Sequence, residues 1–179
     1  MIPLLSAVSR EKQIVKNNTR EIIHHLSVDI GERTIRKYDN LERTRQYIKE
    51  YFMRYGCQPR EEAYEAGGRT VYNIVAEIPG TENPDTIIVV GAHYDTIEDT
   101  PGADDNASGI AGLLELCRLL SPLRFRKTVR FVAFTLEEPP FFSTELMGSM
   151  VYAKNCRKRK ENVELMVCLE MIGYGSRRC

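Results

Sequence analysis

Three short apolar runs of the sequence each end in side chains that are able to bind a metal ion. The run TIIVVGA leads into His93, TVRFVAFTL leads into Glu137 and Glu138, and LMVCL leads into Glu170. Zinc accepts imidazole nitrogen and carboxylate oxygen as ligands. Carboxylates that lie together without a cation repel one another and take up protons. These residue types therefore indicate a metal site, provided that the three segments meet in the folded chain.

A further acidic segment, Asp104-Asp105-Asn106, precedes a helical pattern and adds carboxylates to the same set. A two-metal site needs a carboxylate that bridges ions about 3.5–4 Å apart, and a base beside a bound water whose pKa falls to about 7. Two adjacent glutamates are able to supply a ligand and a base from one strand end. Asp95, two residues after His93, is able to fix the orientation of the imidazole ring.

The elements that must position these residues alternate between strands and helices. Strands are predicted at 71–78, 86–92, 128–136 and 164–169, and helices at about 11–26, 40–55, 108–120 and 145–160. The runs at 86–92 and 164–169 are apolar almost throughout, which predicts strands covered on both faces. The alternation indicates an α/β fold with a largely parallel sheet. Because such sheets bind ligands at the carboxyl ends of their strands, the acidic segments are expected to converge there.

Composition excludes several other classes of protein. The 179 residues fit one domain, and 25 basic residues balance 25 acidic residues. This balance gives no support to a nucleic-acid partner or an anionic membrane partner. The apolar start is too short to span a membrane or to form a signal peptide. The five cysteines form no spaced framework, and a reducing, cytoplasmic location is therefore expected.

In order and spacing, the segments GAHYDT, PGADDNASG, LEEPP and CLEMIGY resemble the site motifs of the di-zinc aminopeptidases, metallopeptidase family twenty-eight. The resemblance extends from the DIGER segment at 29–33 to Gly173. It implies a zinc-exopeptidase-like fold (phosphorylase/hydrolase-like), with a mixed, largely parallel central sheet flanked by helices. The expected organisation is one catalytic domain over 1–179, with N-terminal helices at about 11–55 and an α/β core at about 70–173. The implied reaction is hydrolysis of the N-terminal bond of a peptide or amino-acid amide by a metal-activated water.

The same resemblance implies a role for each site residue. His93 corresponds to a zinc ligand, and Asp95 to the non-ligand partner that orients its ring. Asp105 corresponds to the carboxylate that bridges two zinc ions, and Glu170 to the acidic ligand that completes the shell of one of them. Many members have aspartate at the position of Glu170.

Glu137 corresponds to the general base and Glu138 to a ligand of the other zinc. The family adds a late histidine to the zinc held by Asp105 and Glu138, whereas residues 175–179 no longer resemble the family. We therefore expect a C-terminally incomplete domain that holds its second zinc poorly, and the sequence leaves the activity of the chain open.

Three alternatives remain open at this point. The chain is alternatively a non-catalytic remnant or binding module on the same scaffold, or a glutaminyl cyclase, which resembles this fold and uses a single zinc. The intact DDNASG segment favours the two-metal hydrolases over the cyclases. Residues 104–115 also match the ligand spacing of an EF-hand calcium loop. The entering helix that an EF-hand requires is disfavoured by Pro101 and Gly102, directly before the segment.

Overall fold

The computed structural model describes residues 2–175, which form one five-stranded sheet and four α-helices. The helices are α1 (Ile2–His24), α2 (Tyr38–Arg54), α3 (Gly109–Leu120) and α4 (Gly148–Arg159). The strands are β1 (Arg60–Ala66), β2 (Arg69–Ile78), β3 (Asn83–His93), β4 (Lys127–Phe134) and β5 (Asn162–Cys168). Two further helical turns, His25–Ile30 and Ala103–Ser108, follow α1 and precede α3. No helix in the described range 2–175 is long and apolar enough to cross a membrane.

The sheet is mixed, with strand order β1-β2-β4-β3-β5. β1, β2 and β4 pair antiparallel, whereas β3 pairs parallel with both β4 and β5. The predicted α/β architecture with a parallel half is confirmed. Within that half, His93 lies opposite Phe134 of β4, and Gly91 lies opposite Cys168 of β5. The three strands that precede the acidic segments are therefore neighbours, and their carboxyl ends meet at one edge.

Helices cover both faces of the sheet. On one face, α3 buries its side chains Ile110, Leu113 and Leu114. On the same face, Phe52 of α2 packs against Phe131 of β4, with ring centroids 6.3 Å apart. On the other face, Tyr152 of α4 meets Phe134 edge-on at 5.5 Å. Alternate residues of the buried strands face the two helix layers, as the twofold periodicity of a strand requires. This packing holds the strand ends of the site rigidly from both sides.

β1 was not predicted, because its sequence REEAYEA is strongly charged. It pairs with β2 through a hairpin in which Gly67 and Gly68 have φ of +57° and +74°. Two successive positive φ angles are the requirement of a tight two-residue hairpin, and Gly-Gly meets it without strain. The Gly-Gly pair before the apolar run of β2 was therefore the signal for this strand.

Helix bounds also differ from the prediction. α1 begins at Ile2 rather than near residue 11, and α4 begins at Gly148 rather than near residue 145. The prediction for α1 relied on an amphipathic stripe that is clear only from Val15 onward. The segment before it has good helix propensity but shows no comparable stripe.

The expectation that the strand at 164–169 is covered on both faces was wrong. β5 lies at the edge of the sheet, and every one of its residues is exposed. Leu165 is 52% exposed and Met166 44% exposed. An apolar run indicates that a strand favours burial, but it does not identify the element against which the strand packs. Residues 176–179, in the ending that was expected to depart from the family, lie outside the described residues.

A partly buried ion-pair cluster at Glu161 links α4 to the sheet. Its carboxylate accepts hydrogen bonds from Arg130 of β4 at 2.6 and 3.3 Å and from Arg159 at 2.9 and 3.4 Å. Burial by itself would raise the pKa of Glu161. The two guanidinium groups outweigh burial and lower this pKa from its usual 4.5 to about 2.

Glu161→Gln is expected to remove a pH-dependent part of the stability. Because the folded-state pKa is depressed, the contribution is present above about pH 4.5 and is lost as pH falls toward 2. The parent should lose about 2 kcal/mol more than the variant between pH 5 and pH 3, as measured by urea unfolding. Glu164→Gln is the control, because its half-exposed pair with Lys127 contributes less than about 1 kcal/mol. Equal pH dependence in the parent and Glu161→Gln would contradict this account.

Candidate metal centre

His93, the last residue of β3, points its imidazole ring into a group of carboxylates. Its Nε2 atom lies 3.1 Å from Asp105 Oδ1, 3.3 Å from Glu170 Oε1 and 3.8 Å from Glu138 Oε1. On the other side of the ring, Nδ1 lies 3.4 Å from Asp95 Oδ1. The ring is 6% exposed, so its orientation is fixed by packing as well as by these partners. Nε2 is therefore the nitrogen that faces the centre of the site.

Asp95 links the end of β3 to the loop after β4. Its Oδ1 accepts a hydrogen bond from the backbone N–H of Glu137 at 3.1 Å, and its Oδ2 accepts one from that of Glu138 at 3.0 Å. The sequence assigned Asp95 only the orientation of His93. The structure gives this buried carboxylate a second set of contacts, which hold both glutamates beside the histidine.

Asp105 lies in the turn Ala103–Ser108, whose backbone angles at Asp105 and Asn106 are not helical. Asn106 ties this turn to the segment after β5, because its side-chain N–H donates to Leu169 O at 2.9 Å and its Oδ1 accepts from Met171 N at 3.2 Å. Its side chain also lies 3.3 Å from Glu170 Oε2. Sequence reasoning gave Asn106 no role. Asn106 braces both neighbouring acidic segments.

Glu137 stands apart from the carboxylates that face His93 Nε2. Its Oε1 accepts a hydrogen bond from Ser149 N at 2.6 Å and its Oε2 accepts one from Ser149 Oγ at 2.8 Å. Burial raises the pKa of Glu137, and the two bonds from Ser149 oppose that rise. Ser149 lies in the first turn of α4 and was not identified from the sequence. No motif marks it, since its contact with Glu137 depends on how α4 packs.

The charges of the site are strongly coupled. Burial raises the pKa of Glu138, and with the nearby Asp105 carboxylate it reaches about 7. Burial would lower the pKa of His93, but the carboxylates of Asp105, Asp95 and Glu170 beside the ring raise it to about 12. Conversely, the close contact with the His93 ring lowers the pKa of Asp105. The raised pKa favours a protonated His93, whose positive charge among these carboxylates is a role that a metal ion is able to take over.

The residues fit a zinc ion. His93, Asp105 and Glu170 each offer one ligand atom, and these atoms lie within 4.8 Å of one another. Among residues 2–175, the buried Asp105 Oδ1 finds no hydrogen-bond partner of acceptable geometry, although His93 Nε2 is only 3.1 Å away. An orphaned carboxylate oxygen in such a cluster is suited to bind a cation. One imidazole nitrogen and two carboxylate oxygens form a donor set typical of zinc.

The family model for Peptidase family M28 matches residues 73–179. The Escherichia coli (strain K12) protein YfbL is 41% identical over 160 residues, which cover 85% of this chain and 48% of that protein. Leucine aminopeptidase 2 from Trichophyton rubrum is 33% identical over 106 residues, which cover 59% of this chain and 20% of that protein. The chain therefore spans about half or less of the length of these relatives.

Solved structures share the fold at low identity. A zinc aminopeptidase from Bacillus subtilis aligns with a TM-score of 0.75 at 15% identity, over 87% of this chain and 69% of that one. A glutaminyl cyclase from Porphyromonas gingivalis aligns with a TM-score of 0.73 at 22% identity, over 87% of this chain and 59% of that one. These similarities confirm the predicted zinc-exopeptidase-like fold. Because the family model covers more than half of the chain and the fold agrees, the chain belongs to Peptidase family M28.

Proposed function

We propose that this chain carries the zinc site of an aminopeptidase-type metallopeptidase, which hydrolyses the first bond of a peptide or amino-acid amide. The observation that carries the proposal is the convergence of His93, Asp105, Glu138 and Glu170 on one point, with an orphaned Asp105 oxygen at its centre. Membership of Peptidase family M28 and relatives named leucine aminopeptidase support the same reaction.

The residues would divide the work as follows. His93, Asp105 and Glu170 would hold one zinc ion, and Asp105 with Glu138 would contribute to a second. Zinc, when bound, polarises the substrate carbonyl and acidifies a water molecule.

Glu137 would take the proton of the attacking water on a carboxylate oxygen and deliver it to the leaving amine. Because burial raises the pKa of Glu137, its carboxylate is better suited to receive a proton than an exposed one. Ser149 would keep that carboxylate aimed, through bonds of 2.6 and 2.8 Å.

Glutaminyl cyclase is the second candidate function, because structural neighbours of that class align over 85–90% of the chain. Those neighbours are at most 22% identical, so they bear on the fold alone. The relatives named leucine aminopeptidase reach 33% identity and favour the peptidase. A binding module without catalysis is the third outcome that an experiment must distinguish.

The test is zinc stoichiometry by elemental analysis of chelator-washed and re-metallated protein, together with release of p-nitroaniline from leucine p-nitroanilide. We expect at least one zinc per chain and turnover that chelation abolishes. Formation of pyroglutamyl product from an N-terminal glutaminyl peptide, without amide hydrolysis, would identify a cyclase. Zinc binding without either reaction would identify a binding module. Failure to bind zinc would contradict the proposed site itself.

A further inference from the structure

Arg33 is a fully buried cation, and its side-chain partners among residues 2–175 are all backbone carbonyls. Its Nε donates to Tyr94 O at 2.8 Å, and its Nη2 donates to Gly102 O at 3.0 Å. Its Nη1 lies 2.8 Å from Pro101 O and 2.9 Å from both Leu26 O and Gly31 O. One guanidinium group thus joins the segment after α1 to two separate points of the loop 94–102.

These two points bracket the chain between two candidate zinc ligands. Tyr94 directly follows His93, and Gly102 lies three residues before Asp105. The backbone of Arg33 adds a third attachment within the loop. Its N–H donates to Thr96 Oγ1 at 3.1 Å, and its carbonyl accepts from Thr96 N at 3.1 Å. Arg33 therefore fixes the start, the middle and the end of the loop that separates His93 from Asp105.

The packing around the guanidinium leaves no space for adjustment. Gly102 has φ of +56°, and a Cβ atom there would lie 2.3 Å from Thr96 Cγ2, 2.4 Å from Asp105 O and 2.8 Å from Arg33 Nη2. Non-bonded contacts of a Cβ atom are essentially never shorter than 3.0 Å, so the position requires glycine. The glycine brings the backbone that leads to Asp105 directly against the Arg33 side chain.

The charge of Arg33 also points toward the site. Among residues 2–175, no carboxylate lies within salt-bridge distance of its guanidinium, although a buried charge without a counter-ion is unfavourable. Burial lowers the pKa of Arg33 to about 10, and Asp95 and Asp105 act against that shift. Arg33 therefore stays charged at neutral pH, and both carboxylates that sense its charge belong to the candidate metal centre.

We propose that Arg33 is a positioning residue for the metal centre, which holds the loop 94–102 so that His93 and Asp105 converge on one ion. The inference rests on the proposed zinc site. It adds a residue that touches neither metal nor substrate and acts through the backbone carbonyls of the loop.

The test compares zinc affinity in Arg33→Lys and Arg130→Lys, measured by calorimetry in competition with a chelator. Lysine keeps the charge of Arg33, but its three donors share one nitrogen and cannot reach all five carbonyls that Nε, Nη1 and Nη2 of the guanidinium contact. Arg130 is the matched control, because it is an equally buried arginine that binds Glu77 and Glu161 instead. We expect zinc affinity to fall about 10- to 100-fold in Arg33→Lys, as for other residues that orient metal ligands. In Arg130→Lys it should stay within about threefold of the parent.

Circular dichroism and thermal unfolding establish that each variant is folded at the temperature of the titration. If Arg33→Lys does not fold, Thr96→Val provides the deciding measurement. This variant removes the hydrogen bond from Arg33 N–H to Thr96 Oγ1 and leaves the guanidinium intact. Its zinc affinity should fall about fivefold, the equivalent of one lost hydrogen bond. Parent-like affinity in folded Arg33→Lys, or in Thr96→Val where that variant has to decide, would overturn the inference. A parent protein that binds no zinc would instead contradict the proposed function, whatever the Arg33 variants do.

Discussion

Replacing Glu137 with glutamine is expected to reduce kcat for hydrolysis of leucine p-nitroanilide about 10²–10⁴-fold and to leave zinc affinity unchanged. Glutamine keeps the shape of the side chain but cannot accept the proton of an attacking water. Glu137 is held by Ser149 and does not contact His93 Nε2, so the ligand cluster should remain intact. The measurements are steady-state kinetics on re-metallated protein and a zinc titration of the same preparation.

The control for this variant is Glu145→Gln, in the segment before α4, where the side chain is 79% exposed. Its kcat should equal that of the parent within about twofold, since exposed substitutions away from the site have small effects. A Glu137→Gln variant that retains parent activity would exclude Glu137 as the base. A variant that loses zinc as well as activity would show instead that Glu137 belongs to the ligand set.

The sequence predicted the residues of the site better than the residues that hold them in position. His93, the two glutamates and Glu170 each follow an apolar strand, and the rule that parallel strands present their carboxyl ends at one edge was sufficient to bring them together. Asp105 required the resemblance to a family, because the turn Ala103–Ser108 is irregular and no periodicity predicts which way it faces. Arg33 was read only as part of a motif, since its contacts join segments far apart in the chain.

The missed elements have physical reasons of the same kind. β1 is stabilised by pairing with β2, so its own charged residues carry little strand signal. β5 has the apolar composition of a covered strand, but its position at the sheet edge depends on topology. The buried contacts of Asn106 and Ser149 likewise depend on how turns and helices pack against the strand ends. Local sequence patterns therefore identified the candidate ligand and catalytic residues. The residues that position them could be identified only from the tertiary packing.

Asp105→Asn is expected to lower zinc affinity by more than about 100-fold and to abolish hydrolysis. This carboxylate faces both His93 Nε2 and Glu138, and its buried Oδ1 has no hydrogen-bond partner in the described part of the chain. A neutral amide therefore removes the charge where a cation has to bind. Altering residues that only support ligands already lowers metal affinity 10- to 100-fold, and a direct ligand should exceed that range.

Thermal unfolding provides an independent measurement for Asp105→Asn. At a free zinc concentration 100 times the parent Kd, binding stabilises the folded parent by about 2.7 kcal/mol, so zinc should raise its Tm and leave that of the variant nearly unchanged. Asp104→Asn is the matched control, because Asp104 Oδ1 accepts hydrogen bonds from Ser108 Oγ at 3.2 Å and Gly173 N at 2.9 Å rather than facing His93. An asparagine oxygen is able to accept the same bonds, so this variant should respond to zinc as the parent does. If both variants keep the zinc-dependent rise in Tm, the ion is held elsewhere; if Asp105→Asn alone loses it, the carboxylate at the centre of the cluster holds the metal.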